Sequence, residues 1–329
     1  MENRLLSSIT MTNAFDQGHL DVGQGHKIHY AQYGHARGEP ALVLHGGPGG
    51  KSSLAALKWF DLNRYRVILA DQRGCGLSLP RGHIQHNNTQ ELILDIEKLR
   101  QHLHIQQWLV VGGSWGACLA LLYAGSYAQH LKALILRGSF LASQRELDWF
   151  FQGLRLMAPF AWEELTQGWN AHQKLHVLHT LQQAILKGTE QEARTAAQRW
   201  FQYESRIVGI TSADSSTSTS TTPSTTTSSS PQVLASDEVL DSYTIQAHYL
   251  AQHCFTSERA VFRQARKLTH CPVTLVHGKL DMICPPYNAL RLSRFIPHAK
   301  LNLVSQGGHI GADPHISQAL HAAVLALEK

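Results

Sequence analysis

The chain has 329 residues, of which 43% are hydrophobic and 16% charged, and its formal net charge is +5. This composition is typical of a globular protein with a large core in one or two domains. The longest apolar run, residues 117–124, is too short to span a membrane. The basic residues are scattered and are not interleaved with aromatic residues, which argues against nucleic-acid binding. Residues 1–15 lack the apolar segment of a signal peptide, and the five cysteines form no Cys-x-x-Cys pair, so we expect free thiols and a cytoplasmic location.

The first part of the chain alternates predicted strands and helices. Residues 26–33 alternate polar and apolar side chains, which predicts an outer antiparallel strand. Apolar runs predict buried strands at 41–44, 65–71, 108–111 and 131–136. Between residues 41 and 138 we therefore expect the order strand, helix, strand, helix, strand, helix, strand, with a capped helix start at 88–91. This order predicts a doubly wound, mostly parallel α/β sheet whose ligand chemistry lies at the carboxyl ends of the strands.

The middle of the chain has a different pattern. Residues 143–267 predict helices and no strand, which indicates a helical cap inserted into the sheet as a lid. Within it, residues 212–231 are nearly all Ser and Thr, so we expect a disordered surface loop there. The sheet resumes at 272–277 and 300–304, with a helix after each of these strands. The predicted division is 1–140 for the first part of the core, 141–267 for the cap, and 268–329 for the second part of the core.

A Gly-x-Ser-x-Gly pattern, Gly112 to Gly116 with Ser114 at its centre, lies between a predicted buried strand and a predicted helix. This is the context of a nucleophile elbow, in which the serine stands above the sheet at a helix N-terminus. The alternative is a Gly-rich turn in another parallel α/β protein. The glycine-rich run at 45–50 follows a strand and can present an oxyanion donor, and the N–H of Trp115 can supply another. The alternative for that run is a plain turn.

Two further residues complete a serine-hydrolase set. Asp281 and His309 each follow a predicted strand, and the chain order Ser114, Asp281, His309 is that of the α/β-hydrolases. Such an aspartate alone is usually a turn residue, and such a histidine alone is often polar surface. Together with the elbow they predict a nucleophile, the acid that orients the base, and the base. No metal and no cofactor are expected, because the histidines at 172, 176 and 179 share a helical spacing without a completing carboxylate or cysteine.

Four segments resemble one known family. They are HGGPGG at 45–50, DQRGCG at 71–76, GGSWG at 112–116 and DMICP at 281–285. Together they resemble prolyl aminopeptidases (proline iminopeptidases) over nearly the whole chain, apart from the Ser/Thr tract. The resemblance implies an α/β-hydrolase fold and a metal-free serine enzyme that removes an N-terminal proline from peptides. It also implies that Ser114 is the nucleophile, His309 the general base and Asp281 its orienting acid, with Gly47 and Trp115 forming the oxyanion hole.

The resemblance extends to the substrate-binding residues, with two departures. The family carries Trp-x-x-Trp-Glu in its cap, and this chain has Trp200 with Tyr203 in place of the second tryptophan, followed by Glu204. The implied role of Glu204 is to bind the free amine, although a solvated helix residue is the alternative. A second family glutamate is replaced by Gln246. Phe140 is implied as a wall of the proline pocket, and Trp200 as a further substrate contact.

The missing glutamate keeps a second function open. The leading interpretation is a serine exopeptidase that prefers N-terminal proline and acts on short peptides with a free N-terminus. The alternative is another hydrolase of this fold that acts on small esters, amides or lactones. A catalytically inactive binding protein is a third interpretation, which the intact set of Ser114, Asp281 and His309 disfavours. Related enzymes that use a carboxylate nucleophile are disfavoured by Ser114, and the oligomeric state stays open.

Overall fold

The computed structural model describes residues 13–211 and 234–328. The predicted loop at 212–231 lies outside the described residues, and so do residues 1–12 at the N-terminus. In the part of the chain that is described, no helix is long and apolar enough to cross a bilayer.

One eight-stranded sheet forms the centre of the protein. Its strands are β1 (Asp16–Gly23), β2 (His26–Gly34), β3 (Glu39–Leu44), β4 (Tyr65–Ala70), β5 (Trp108–Gly113), β6 (Leu131–Arg137), β7 (Val273–Gly278) and β8 (Lys300–Val304). Their order across the sheet is β1-β2-β4-β3-β5-β6-β7-β8. The pairs β1–β2 and β2–β4 are antiparallel, and the other pairs are parallel. The prediction of a mostly parallel, doubly wound sheet is therefore confirmed.

The central strands are apolar throughout because both of their faces are covered. In β5, Leu109 and Val111 point into one hydrophobic cluster, whereas Trp108 and Val110 point into the other. Side chains alternate between the faces of a strand, so a strand that is buried on both faces shows a continuous apolar run. This is why the runs at 41–44, 108–111 and 131–136 were readable as strands.

The helices lie on both faces of the sheet and beyond its carboxyl edge. They are α1 (Thr89–His102), α2 (Trp115–Ser126), α3 (Gln144–Phe151), α4 (Pro159–Leu165), α5 (Ala171–Leu175), α6 (Val177–Lys187), α7 (Glu190–Thr211), α8 (Asp237–Ala251), α9 (Glu258–Ala265), α10 (Tyr287–Phe295) and α11 (Pro314–Leu325). The predicted N-cap of α1 is present at Asn88, because its side chain accepts a hydrogen bond from the N–H of Glu91 at 3.1 Å.

Three local features differ from the sequence-based expectation. The edge strand β1 was missed, because its sequence DQGHLDVG has few apolar residues to alternate. The connection between β3 and β4 contains only a 3₁₀ segment, Leu54–Trp59, in place of the expected α-helix. The helix expected to present three histidines breaks at His176, which ends α5 and precedes α6, so these residues do not share one helix face.

The residues between β6 and β7 are helical wherever they are described as regular elements. Helices α3, α7 and α8 contribute residues to the cavity above Ser114, so this region covers the carboxyl edge of the sheet. The last helix, α9, packs instead against core helix α2, where a Cβ at Gly125 would lie 2.5 Å from Gln264 Cβ. The division into a core and a cap at residues 141 and 267 stays a prediction.

Candidate active site

Ser114 stands at a sharp turn between β5 and α2. Its backbone has φ 57° and ψ −122°, a conformation that costs free energy in any residue with a side chain. The N–H of Ser114 donates to the carbonyl oxygen of Arg137 at 2.9 Å, which ties the turn to the end of β6. The hydrogen bond to the neighbouring strand therefore stabilises this strained conformation, and the hydroxyl of Ser114 lies at the N-terminus of α2.

The glycines on either side of Ser114 are required by close backbone packing. A Cβ at Gly112 would lie 2.2 Å from the carbonyl oxygen of Gly116. A Cβ at Gly116 would lie 2.2 Å from the carbonyl oxygen of Leu44 in β3. Both distances are far below van der Waals contact with rigid backbone, so the elbow excludes every side chain at these two positions.

Asp281 and His309 form a hydrogen-bonded pair. Asp281 follows β7 and His309 follows β8, and His309 Nδ1 lies 2.8 Å from Asp281 Oδ2. The other oxygen, Oδ1, accepts hydrogen bonds from the N–H groups of Ile283 at 3.0 Å and Cys284 at 2.8 Å. With Asp281 ionised, Nδ1 of His309 carries the proton, and Nε2 is left with a lone pair that can accept one.

The carboxyl group of Asp281 is held ionised by its surroundings. Burial alone would raise its pKa, but the electrostatic interaction with His309 and hydrogen bonds from His277 and His309 outweigh burial and hold the pKa well below its usual range. Gly138 makes room for this arrangement at the end of β6, where a Cβ would lie 3.2 Å from Asp281 Oδ2 and 3.3 Å from His309 Nδ1.

Two backbone N–H groups beside Ser114 are free to bind an oxyanion. Gly47, in the glycine-rich loop after β3, has φ +113°, and a Cβ there would lie 2.5 Å from the nitrogen of Gly50. Trp115 is the first residue of α2, where the N–H has no partner within the helix. Among the hydrogen bonds of the described residues, neither of these N–H groups donates. Both are therefore available to a developing negative charge.

Gln72 joins the two loops that carry these N–H groups. Its side-chain Oε1 accepts from the indole N–H of Trp115 at 2.9 Å, and its Nε2 donates to the carbonyl oxygen of His45 at 2.9 Å. The backbone N–H of Gln72 donates to His45 Nε2 at 3.0 Å. Gln72 is 8% exposed, so these bonds are shielded from water. Sequence reasoning missed this residue, although it lies inside the DQRGCG segment.

A cavity of about 70 Å³ lies between the elbow and the cap. It is lined by Gly47 and Ser114 from the core, by the predicted residues Phe140, Trp200, Glu204 and Gln246, and by Glu146, Leu147, Phe150, Phe151, Leu250, Ile283 and Cys284. The structure thus brings six of the nine sequence-predicted site residues to one cavity. The other three are Asp281 and His309, in the loops after β7 and β8, and Trp115, the first residue of α2. The aromatic residues at 150 and 151 were not predicted as site residues.

Of the two carboxylates that line this cavity, Glu204 is the one with unused hydrogen-bond acceptor sites. Tyr243 Oη donates to its Oε2 at 2.7 Å, and Gln246 Nε2 donates to its Oε1 at 2.6 Å. Burial raises the pKa of Glu204, and the hydrogen bonds from Tyr243 and Gln246 offset part of that rise. A carboxylate has about four lone-pair sites, so two donors leave Glu204 able to accept from a ligand.

The second carboxylate, Glu146, is already saturated. It accepts from the N–H groups of Leu141 at 3.0 Å and Ser143 at 2.9 Å, from Ser143 Oγ at 2.7 Å, and from Asn288 Nδ2 at 2.6 Å. Glu146 closes the capping box that begins α3. Its role is to hold the start of the cap, and the Ser143-x-x-Glu146 spacing was the sequence signal for it.

No three His, Cys, Asp or Glu side chains are grouped as metal ligands within the described ranges. The polar groups at the cavity include a hydroxyl, an amide, backbone N–H groups and two carboxylates, of which Glu204 has free acceptor capacity. This set can perform nucleophilic acyl transfer on a small substrate that carries a positive charge.

Comparison with known proteins agrees with this geometry. A family model described as alpha/beta hydrolase fold matches residues 40–315. A proline iminopeptidase from Xylella fastidiosa strain Temecula1 is 33% identical over 315 residues, which are 94% of this chain and 95% of that protein. One from Arabidopsis thaliana is 34% identical over 319 residues, which are 96% of this chain and 80% of that protein.

Solved structures share the fold at low sequence identity. A proline iminopeptidase-related protein from Thermus thermophilus is 18% identical with a TM-score of 0.56, covering 95% of this chain and 98% of that one. A thioesterase domain from the curacin biosynthetic pathway is 19% identical with a TM-score of 0.57, covering 96% of this chain and 100% of that one. Both confirm the predicted fold class, and neither bears on the substrate.

Proposed function

The chain belongs to the alpha/beta hydrolase fold family and, within it, to the proline iminopeptidases. We propose on this basis that it is a serine exopeptidase that releases an N-terminal residue, preferably proline, from short peptides. The observation that carries the proposal is the small cavity whose lining includes both the Ser114 hydroxyl and the Glu204 carboxylate. A nucleophile and an amine-binding group in one small cavity would select the first residue of a peptide.

In the proposed reaction, these side chains act in the order that acyl transfer by a serine requires. His309 Nε2 takes the proton of Ser114 Oγ, and the oxygen attacks the carbonyl carbon of the first residue. The N–H groups of Gly47 and Trp115 bind the oxyanion that forms. Collapse of this intermediate breaks the peptide bond, and the departing amine takes the proton from His309. Asp281 stabilises the imidazolium form of His309 throughout.

The acyl enzyme is resolved by the same groups. Water enters after the shortened peptide leaves, and His309 takes a proton from it as it attacks the ester on Ser114. The ester bond breaks, Ser114 Oγ regains a proton from His309, and the free amino acid leaves. A protonated pyrrolidine nitrogen has two N–H donors and one positive charge, and Glu204 has the charge and the acceptor capacity to bind it.

We further propose that the enzyme acts in the cytoplasm on short peptides with free N-termini. All five cysteines are free and buried, which is common in proteins of a reducing compartment.

The test is a panel of anilide and ester substrates. We expect the wild type to cleave proline anilide, and N-blocked proline anilide much more slowly, because the blocked nitrogen has no charge for Glu204. Ser114→Ala should lose a factor of about 10⁴ or more in kcat, because the serine, base and acid act as a unit. Ser126→Ala, at the other end of α2, is the matched control and should keep full activity. Equal cleavage of the blocked and free substrates would replace the exopeptidase with a general hydrolase of small esters, amides or lactones.

A further inference from the structure

The cavity above Ser114 shares part of its wall with a second space in the cap. This second space is a cleft of about 320 Å³ that is lined by residues of α3, α6 and α8 among others. Leu147, Phe151 and Leu250 line both the cavity and the cleft. These three side chains, which we call the partition, therefore belong to the walls of both spaces.

The partition is built from two helices. Leu147 and Phe151 are four residues apart on α3 and so share one helix face, and Leu250 comes from α8. Phe151 is fixed by edge-to-face contacts with Phe150 at 4.9 Å and Trp200 at 5.4 Å between ring centroids. The two leucines are 9% and 8% exposed. They are the members of the partition whose truncation removes volume without removing an aromatic contact.

The cleft behind the partition is not filled by protein side chains. Gln182 in α6 lines it and is buried, with 8% of its surface exposed. Its Nε2 has no hydrogen-bond partner among the described residues. A buried amide without a protein partner is satisfied by water or by a ligand. The space beyond Leu147 and Leu250 is thus open to occupation.

We propose that Leu147 and Leu250 limit the size of the N-terminal residue that the enzyme accepts. This inference rests on the proposed function, which anchors the substrate carbonyl at Ser114 and its amine at Glu204. With both ends held, the side chain must fit in what is left of the cavity. The proline ring folds back onto its own nitrogen and is compact. The side chains of leucine and phenylalanine extend further from Cα and meet the partition.

Opening the partition should widen the specificity. Leu147→Ala and Leu250→Ala each connect the cavity with the cleft. In each variant, kcat/KM for leucine anilide and for phenylalanine anilide should rise by about tenfold or more relative to kcat/KM for proline anilide. An apolar pocket changes kcat/KM by about this factor for each one or two methylene groups that it admits or excludes. The milder Leu147→Val should move the same ratio in the same direction by a smaller factor, and it serves if the alanine variant does not fold.

The matched control is Leu165→Ala in α4. Leu165 is even more deeply buried in the helical region, with 1% exposure, and it lines neither space. It reports what general loosening of these helices does to specificity. The proposal is overturned if folded Leu147 and Leu250 variants keep the wild-type ratio, or if Leu165→Ala shifts the ratio equally.

Failure of this inference is distinguishable from failure of the proposed function. Wild-type cleavage of proline anilide that depends on the free amine tests the proposed function alone. The ratio between large and small N-terminal residues tests the partition alone. Wild-type enzyme that already cleaves phenylalanine anilide as well as proline anilide would overturn the partition and leave the exopeptidase intact.

Discussion

Exchanging Gln246 for glutamate tests how this site recognises a charged amine. In the wild type, Gln246 Nε2 donates to Glu204 Oε1 at 2.6 Å, and Tyr243 Oη donates to Oε2 at 2.7 Å. Gln246 therefore donates one of its two amide N–H groups to Glu204, and the only acceptor that it can offer to a substrate amine is a neutral oxygen. Gln246→Glu adds a second carboxylate within hydrogen-bonding distance of the first.

The expected magnitude follows from the difference between neutral and charged hydrogen bonds. A bond to a charged group contributes about 1.5–3 kcal/mol, compared with about 1 kcal/mol for a neutral one. Gln246→Glu should therefore lower KM for proline anilide by about tenfold at most, with kcat little changed. Glu204→Gln removes the charge itself and should raise KM by roughly ten- to a hundredfold on the same scale.

The effect of Gln246→Glu should depend on pH. Two carboxylates at this distance cannot both ionise readily, so one of them holds a proton in the free enzyme. The decrease in KM should therefore appear as the pH rises and that proton is lost, and it should disappear when the pH is lowered. In the wild type, burial raises the pKa of Glu204, so a fall in pH neutralises the carboxylate and lowers kcat/KM for proline anilide.

The assay is steady-state kinetics on proline anilide and its N-blocked form over a range of pH. Gln252→Glu, at the exposed end of α8, is the matched control for adding one negative charge to the same helix. The reasoning is refuted if Glu204→Gln leaves KM for the free amine unchanged. It is also refuted if Gln246→Glu and Gln252→Glu have the same effect at every pH.

The remaining predictions concern the elbow, the oxyanion loops and a buried thiol. Gln72→Leu should lower kcat on proline anilide by about tenfold to a hundredfold with KM nearly constant, because the segments that carry the two proposed oxyanion donors, Gly47 and Trp115, lose the hydrogen bonds that join them. An unchanged kcat would show that packing alone positions them. Gly116→Ala should lower the melting temperature by many degrees or prevent folding, because the new methyl group would lie 2.2 Å from a backbone oxygen of β3. A variant that melts at the wild-type temperature would contradict this geometry. Cys75 is 3% exposed and burial raises its pKa, so a bulky thiol reagent should not label it in the folded enzyme, as mass spectrometry can check against Cys75→Ser.

The amino-acid sequence by itself determined the buried strands and the glycine-flanked turn at Ser114, and it predicted Asp281 and His309 as its partners. These features are local. Ser114 lies between two glycines because the turn from β5 to α2 leaves no room for side chains, and that spacing is visible in five residues. The buried strands were recognisable because both of their faces are covered, which makes each a continuous apolar run. The edge strand β1 has no such signature and was missed.

Only the tertiary structure decided which distant residues meet. Gln72 follows β4, yet it bonds to His45 after β3 and to Trp115 after β5, because the order of strands in the sheet makes β3 a neighbour of both β4 and β5. Glu204 was predicted from a motif, but its donors Tyr243 and Gln246 come from α8, and no spacing along the chain predicts that α7 and α8 pack side by side. The partition likewise combines Leu147 and Phe151 of α3 with Leu250 of α8, about a hundred residues further along the chain. A short sequence pattern reflects the backbone geometry of one helix, strand or turn. A cavity, in contrast, is formed by several elements that pack together, and their packing depends on the apolar surface buried throughout the core.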